Sequence, residues 1–140
     1  MVVTASHDHT MKIWSMCTGD CALTLAGHSS DVRSALFSKD GSSVLTASRD
    51  NTAKIWDSYT GQRKQTLSGL SVATRPILNP SAAYSTDESS ILTVSDNAAK
   101  IWDSCTGECN AHGTINRCAC GCRDPMLAPT LVQEAPTLAG

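Results

Sequence analysis

The chain has little charge of either sign and no long apolar segment. Charged residues make up 17% of its 140 residues, its formal net charge is −2, and like charges never form a run. A basic patch for nucleic acid and a span of about eighteen apolar residues for a membrane are both missing. Residues 1–4 do not resemble the start of a secretory signal. We therefore expect a soluble, cytoplasmic protein that binds neither nucleic acid nor membrane, and nothing in the sequence separates cytoplasm from nucleus.

The signatures of common catalytic loops are also missing. No Gly-x-Ser-x-Gly elbow occurs, so an exposed nucleophilic serine on a strand-to-helix turn is not predicted. Residues 61–64 (GQRK) lack the first glycine and the helix of a phosphate-binding loop. These absences predict a protein that is not an enzyme and holds no cofactor.

What the chain does contain is a series of short strand patterns, clearest between residues 27 and 68. Residues 31–37 carry alternating apolar positions and end at a turn signature. Residues 43–48 are rich in β-branched side chains and show no helical period. Two more strand patterns follow tight turns, at 52–56 and from residue 64. Four short strands in about forty residues predict one antiparallel meander and an all-β fold.

The same unit recurs along the chain. Three Ile-Trp pairs lie 42 and 46 residues apart, at Ile13-Trp14, Ile55-Trp56 and Ile101-Trp102. A lysine precedes each pair, and a glycine follows five residues after each tryptophan. A period of this size is typical of propeller blades. We therefore expect three related units over roughly the first 109 residues.

The middle unit resembles the Trp-Asp (WD) repeat, which forms one blade of a β-propeller. The resemblance rests on Gly27-His28, Ser48-x-Asp50 and Trp56-Asp57. It implies a hydrogen-bonded structural tetrad that links strands and turn, made of His28, Ser48, Asp50 and Trp56. Such a set satisfies itself, because a buried indole N–H needs an acceptor and a buried carboxylate needs donors. The implied fold is a partial β-propeller of roughly three four-stranded antiparallel blades in an incomplete ring.

Three members of this tetrad have the residue types of a nucleophilic triad, namely Ser48, His28 and Asp50. A structural hydrogen-bond chain explains them more economically, because a buried serine has no access to substrate. We predict no catalytic residues.

The outer units depart from the WD pattern. The first lacks its innermost strand and its Gly-His, and the third has Gly69-Leu70 where Gly-His belongs. The third also gains five residues in a segment with Pro76 and Pro80, which suit a loop, and loses one residue between Ser95 and Asp96. We expect four segments: a partial first repeat at 1–26, a complete repeat at 27–68, a degenerate repeat at 69–109, and an irregular tail at 110–140.

Seven cysteines, an odd number, argue against a fully paired secreted framework. Four cysteines lie at one turn, two in the first unit (Cys17, Cys21) and two in the third (Cys105, Cys109). The middle unit has Tyr59 and Arg63 at these positions, so a required metal ligand is not expected. The cluster within 118–122, with His112 nearby, has thiols that suit a soft metal. Its spacing is not that of paired Cys-x-x-Cys knuckles, so we predict no metal site and leave this cluster open.

The resemblance implies a non-catalytic scaffold that mediates protein–protein interaction, as a fragment of a larger propeller. Its expected partners are other proteins, further blades, or a second copy of itself. Partners are expected on the face with the Gly-His loops, near Asp31, Arg33 and Arg49, although each is also explained as a solvated surface charge. Two alternatives remain: the sensing or substrate-recognition part of a multidomain NTPase, kinase or ubiquitin ligase, and a truncated, non-functional gene product.

Overall fold

A computed structural model describes residues 1–70, 80–95 and 98–114. These residues form short strands joined by tight turns, and they contain no helix. The strands are β1 Val2–Ala5, β2 Thr10–Trp14, β3 Cys21–Ala26, β4 Val32–Phe37, β5 Ser43–Ser48, β6 Thr52–Asp57, β7 Arg63–Ser68, β8 Ser81–Tyr84, β9 Ser90–Val94, β10 Ala98–Asp103 and β11 Cys109–Thr114.

The strands form three antiparallel sheets, each a simple meander along the chain. The first sheet has the order β1-β2-β3, the middle sheet β4-β5-β6-β7, and the third sheet β8-β9-β10-β11. Within the described ranges the sheets do not close into a barrel or ring. The predicted all-β fold of about three propeller blades is confirmed.

The first sheet has one strand fewer than the other two. Among the described residues, β1 pairs only with β2, through Val3↔Ile13, whereas β5 of the middle sheet pairs with both β4 and β6. The turns after β1 and β5 are equivalent, because His9 and Asn51 share a left-handed backbone, at φ 71° and 67°. β1 therefore corresponds to the second strand of a four-stranded blade, as the sequence predicts.

The third sheet differs from the prediction at its outer strand. Residues 110–121 lack apolar alternation, yet β11 pairs with β10 through Lys100↔His112. A tight turn sets this pairing: Asp103 N donates to Glu108 O at 2.9 Å, and Gly107 takes φ +73°. A hairpin turn fixes strand register whatever the outer side chains are. Residues 110–114 of the predicted irregular tail therefore belong to a strand.

The apolar core divides into two clusters, one on each face of the middle sheet. Adjacent residues on β6 point to opposite faces, so Trp56 packs toward the first sheet and Ile55 toward the third. The cluster shared with the first sheet contains Met11, Ile13, Leu25, Val32, Val44 and Trp56. The cluster shared with the third sheet contains Leu45, Ala47, Ala53, Ile55, Leu67, Leu70, Ala82, Ile91 and Trp102.

Several predictions fall outside the described residues. These are the loop around Pro76, the shortened turn at Asp96, and the tail from residue 115 with its cysteine cluster at 118–122.

Candidate functional site

A series of hydrogen-bonded polar side chains, which we call the polar chain, runs through the middle sheet from the turn between β5 and β6 to the buried Trp56. His28 precedes β4, and its Nδ1 lies 2.7 Å from Oδ2 of Asp50, in the turn between β5 and β6. Its Nε2 lies 2.9 Å from Oγ1 of Thr46 on β5. That hydroxyl accepts a hydrogen bond from Nε1 of Trp56 on β6, at 3.0 Å. The ring of Trp56 also meets the His28 ring edge-on, at 6.2 Å between centroids.

The hydroxyl in this chain belongs to Thr46 and not to Ser48, the residue that the WD resemblance implies. Ser48 Oγ donates to the carbonyl of Ser30 at 3.1 Å and accepts from the Asp50 N–H at 3.1 Å. Both side chains lie on one face of β5, because residues two apart on a strand share a face. Thr46 precedes Ser48 by two residues, and its hydroxyl lies within hydrogen-bond distance of both the His28 imidazole and the Trp56 indole. Ser48 instead anchors the loop before β4 and the turn after β5.

This arrangement also separates the members of the nucleophilic triad considered above. The His28 imidazole contacts Asp50 and Thr46, while the Ser48 hydroxyl is engaged with backbone groups. Ser48 is fully buried. The three residues therefore form structural bonds and do not align a nucleophile with a base.

Gly27 places His28 against the tryptophan. A Cβ at this position would lie 3.1 Å from Cη2 of Trp56, and the backbone takes φ +147°. A side chain here would push against the buried indole and strain the backbone. The Gly-His pair is thus a packing requirement as well as a sequence signature.

Asp50 is held as a carboxylate. Burial alone would raise its pKa, but hydrogen bonds from His28, the Thr52 hydroxyl and the Ser29 N–H outweigh that effect. The pKa of Asp50 therefore lies well below its usual range. Its side chain is 6% exposed, and that of His28 is fully buried. The His28–Asp50 hydrogen bond links the loop before β4 to the turn after β5.

The three residues predicted for partner binding do come together. Asp31 Oδ2 lies 3.3 Å from Nη1 of Arg49 and 3.9 Å from Nη2 of Arg33. The carbonyl of Asp31 also accepts the Arg49 N–H at 3.0 Å. They lie at one end of the middle sheet, beside the loop that carries His28.

Two histidines of the first sheet join them. His7 Nδ1 lies 2.9 Å from Oδ2 of Asp31, and its Nε2 lies 3.2 Å from Nη1 of Arg33. His9 Nε2 lies 3.9 Å from Oδ1 of Asp31. Nearby, the Val32 N–H donates to the carbonyl of Ser6 at 3.0 Å. We call this set, His7, His9, Asp31, Arg33 and Arg49, the inter-sheet cluster.

The sequence alone does not connect His7 and His9 with Asp31. The signal was present, because His7 occupies the position of Arg49 in the next unit. Both side chains contact Asp31, His7 across the junction of two sheets and Arg49 within its own sheet. Burial would raise the pKa of Asp31, but the charge of His7 and the hydrogen bond and charge of Arg49, with the charge of Arg33, lower it overall.

A polar cavity of about 310 Å³ is lined by residues of both the middle and the third sheets. Its lining includes Asp40, Lys64, Tyr84, Glu88 and Ser104. Burial, together with the charges of Glu88 and Asp40, raises the pKa of Tyr84 to about 12. The Lys64 ammonium donates to Ser43 Oγ at 3.0 Å and pairs with the Asp57 carboxylate at 3.3 Å. The lysine that lines the cavity therefore already has partners within the middle sheet.

Potential metal ligands do not converge in the described part of the chain. Within residues 1–70, 80–95 and 98–114, no three His, Cys, Asp or Glu side chains are placed to hold an ion. Cys17, Cys21, Cys105 and Cys109 are exposed free thiols. In the same ranges, no helix is long and apolar enough to cross a membrane.

Comparison with known proteins identifies the centre of the chain. Residues 19–57 match the family described as WD domain, G-beta repeat. A segment of 44 residues is 46% identical to nuclear distribution protein PAC1 of Mycosarcoma maydis, covering 31% of this chain and 10% of that protein. A segment of 45 residues is 44% identical to nuclear distribution protein PAC1-2 of Uncinocarpus reesii (strain UAMH 1704), covering 32% of this chain and 10% of that protein.

A third relative gives the same picture. Nuclear distribution protein PAC1 of Arthroderma otae (strain ATCC MYA-4605 / CBS 113480) is 44% identical over 45 residues, again 10% of its length. The matched part of this chain thus spans about one tenth of each of these curated relatives. The WD repeat predicted from the sequence is confirmed.

Proposed function

We propose, from the premise that the centre of this chain is a WD repeat of the G-beta type, that the protein is a non-catalytic scaffold for protein–protein interaction. The observation that carries the proposal is the division of roles within the middle sheet. His28, Thr46 and Trp56 are buried or bonded internally. The charged residues at the end of the same sheet remain partly exposed, with 27% of the Arg33 side chain accessible.

This division suits binding without chemistry. Variable loops on a rigid sheet present side chains to a partner, while the internal hydrogen bonds keep the loops in position. We assign the docking surface to Asp31, Arg33 and Arg49, and we assign His28, Thr46, Ser48, Asp50 and Trp56 to its support. The curated relatives carry the name nuclear distribution protein, which describes no enzyme.

We further propose that these sheets work within a larger propeller. The support is the edge of β1: within the described residues it has no strand on its second side, whereas β5 and β9 each have two neighbours. An open sheet edge favours association with further strands. The divisions 1–26, 27–68, 69–109 and 110–140 are part of this proposal, except that the third unit also takes in β11, Cys109–Thr114. A cytoplasmic location is part of it too, since the exposed thiols of Cys17, Cys21, Cys105 and Cys109 suit a reducing compartment.

The interaction surface is tested by charge reversal. We would compare proteins captured by the wild-type chain with those captured by Arg33→Glu/Arg49→Glu, using quantitative mass spectrometry. Arg63→Glu/Lys64→Glu is the control, because it also reverses two cations of the middle sheet but on β7, away from the inter-sheet cluster. Partners lost from the first variant and retained by the control support the proposal. Partners retained by both variants would contradict the assigned surface.

The larger propeller is tested by the mass of the purified chain in solution, measured by light scattering after size exclusion. A discrete dimer or trimer with a sharp thermal transition would support assembly of blades from several chains. A cooperative, compact monomer would show that the three sheets need no further blades.

A further inference from the structure

The Arg33 guanidinium is the least compensated charge of the inter-sheet cluster. Within the described part of the chain, its one side-chain hydrogen bond runs from Nη1 to Nε2 of His7, at 3.2 Å. Asp31 lies at 3.9 Å from Nη2, beyond hydrogen-bond distance. Its Nε is buried and has no hydrogen-bond partner among the described residues. The Nε–H is thus an unsatisfied buried donor, while 27% of the Arg33 side chain stays accessible.

The nearby carboxylates do not remove this deficit. Asp31 is shared, since its Oδ2 already contacts His7 at 2.9 Å and Arg49 at 3.3 Å. Asp8, in the same turn as His7, accepts hydrogen bonds from the N–H and hydroxyl of Thr10. Asp50, in the turn with Arg49, binds His28. One carboxylate therefore serves two guanidinium groups and two imidazoles.

We infer that the inter-sheet cluster anchors a carboxylate side chain from an acidic segment of a partner protein, between Arg33 and the turn that carries His7. This inference rests on the proposed scaffold function and names the chemistry of the partner. The planar guanidinium fork matches a carboxylate and gives a stronger bond than a neutral partner. A partly buried arginine supported by neighbouring side chains is also typical of the residues that dominate interface energies.

His7 positions the guanidinium of this anchor. Its Nδ1 lies 2.9 Å from Oδ2 of Asp31, and its Nε2 lies 3.2 Å from Nη1 of Arg33. An Nδ1–H that donates to Asp31 leaves Nε2 as the acceptor for Arg33. His7 thus links Asp31 to Arg33 across the junction of the first and middle sheets.

The test uses a fluorescein-labelled hexaglutamate peptide and the full chain, with fluorescence anisotropy as the readout. We expect saturable binding that weakens with salt, because exposed charges are screened. Arg33→Gln and Arg49→Gln should each weaken binding about fivefold, the scale of a single partly exposed ion pair. Arg63→Gln, a cation lost from β7, should leave the affinity unchanged.

Arg33→Lys distinguishes a loss of binding from a folding defect, because it keeps the positive charge and removes only the planar guanidinium. An intermediate loss with an unchanged thermal melt supports the anchor. The inference is overturned if hexaglutamate binds equally to wild type and Arg33→Gln. Binding of a phosphoserine peptide in the absence of hexaglutamate binding would also overturn it.

The outcomes separate this inference from the scaffold proposal. If captured proteins depend on Arg33 and Arg49 but hexaglutamate does not compete with them, the scaffold stands and the carboxylate anchor fails. If hexaglutamate binds at the cluster but no protein is captured at all, the scaffold proposal fails.

Discussion

The middle and third sheets both bury a tryptophan on their third strand, but they surround it with different side chains. In both, a tryptophan on the third strand donates to a threonine on the second: Trp56 to Thr46 at 3.0 Å, and Trp102 to Thr93 at 2.8 Å. In the middle sheet His28 then continues the chain to Asp50. In the third sheet the residue after the equivalent glycine is Leu70, which is 1% exposed and packs in the same apolar cluster as Trp102.

This difference separates what a blade requires from what it tolerates. The indole–hydroxyl bond occurs in all three sheets, since Trp14 also donates to Thr4 at 2.9 Å. The imidazole occurs in one. In the third sheet the apolar Leu70 replaces it while the indole–hydroxyl bond is kept, because Trp102 alone satisfies the Thr93 hydroxyl.

The largest expected effect comes from breaking the polar chain at its charged end. Asp50→Ala removes the carboxylate that pairs with the buried His28 and accepts the Ser29 N–H, so we expect the free energy of unfolding to fall by about 3 kcal/mol. Urea denaturation followed by tryptophan fluorescence measures it. Asp8→Ala is the matched control, since Asp8 holds the equivalent turn of the first sheet but has no histidine partner. A loss as large in Asp8→Ala as in Asp50→Ala would contradict this account.

Acid should produce the next largest effect through the same carboxylate. The pKa of Asp50 in the folded state is lowered, so its contribution is complete above the unfolded-state pKa of about 4 and is lost as pH falls through the folded value. We expect the free energy of unfolding to decrease below about pH 4, and to decrease less steeply in Asp50→Asn. Urea titrations at a series of pH values measure both slopes. Equal slopes for the two proteins would assign the acid sensitivity to other carboxylates.

Replacing His28 with the leucine found in the third sheet should lower the free energy of unfolding by a smaller amount. His28→Leu reproduces Leu70 but leaves Thr46 and Asp50 without their imidazole partner, and we expect a loss of about 2 kcal/mol. Thermal and urea unfolding measure the change. The double variant His28→Leu/Asp50→Leu removes the unpaired carboxylate as well, so it should recover part of the loss. A double variant with the summed cost of both single changes would show that the polar chain is not a coupled unit.

The smallest effects should come from the shared hydroxyls. Thr46→Val deletes the acceptor of Trp56 and the partner of His28, whereas Thr93→Val deletes only the acceptor of Trp102. We expect losses of about 1.5 and about 1 kcal/mol respectively, on the scale of single buried hydrogen bonds. Urea denaturation of both variants measures the difference. If Thr93→Val were the more damaging, Thr46 would not be the centre of the chain.

Much of the fold could be predicted because the Ile-Trp pairs and their flanking glycines recur with a regular period. The choice between Thr46 and Ser48 could not, because both lie on the same face of β5 and both are hydroxyl residues. Only the register of β5 against β6 decides which one reaches Trp56. β11 was missed for a related reason: the hairpin turn at Gly107 and the free edge of β10 form that strand, and its own side-chain pattern does not.

The candidate site shows the same limit. The motif located Asp31, Arg33 and Arg49 at one end of the middle sheet, from residues within a single unit. The contribution of His7 depends on how two units pack, since it meets Asp31 across a junction. Sequence patterns describe one unit at a time, and junction contacts need a structure.

The opposed directions of Ile55 and Trp56 have a consequence for how the protein would come apart. Each belongs to a different core, and each core is completed by a different neighbouring sheet. Peeling away the first sheet would expose the indole side of β6 and leave the isoleucine side covered, so the chain can lose an outer sheet stepwise. The middle sheet cannot open without exposing both cores at once. Backbone amides in β5 and β6 should consequently be the last to exchange with deuterated solvent.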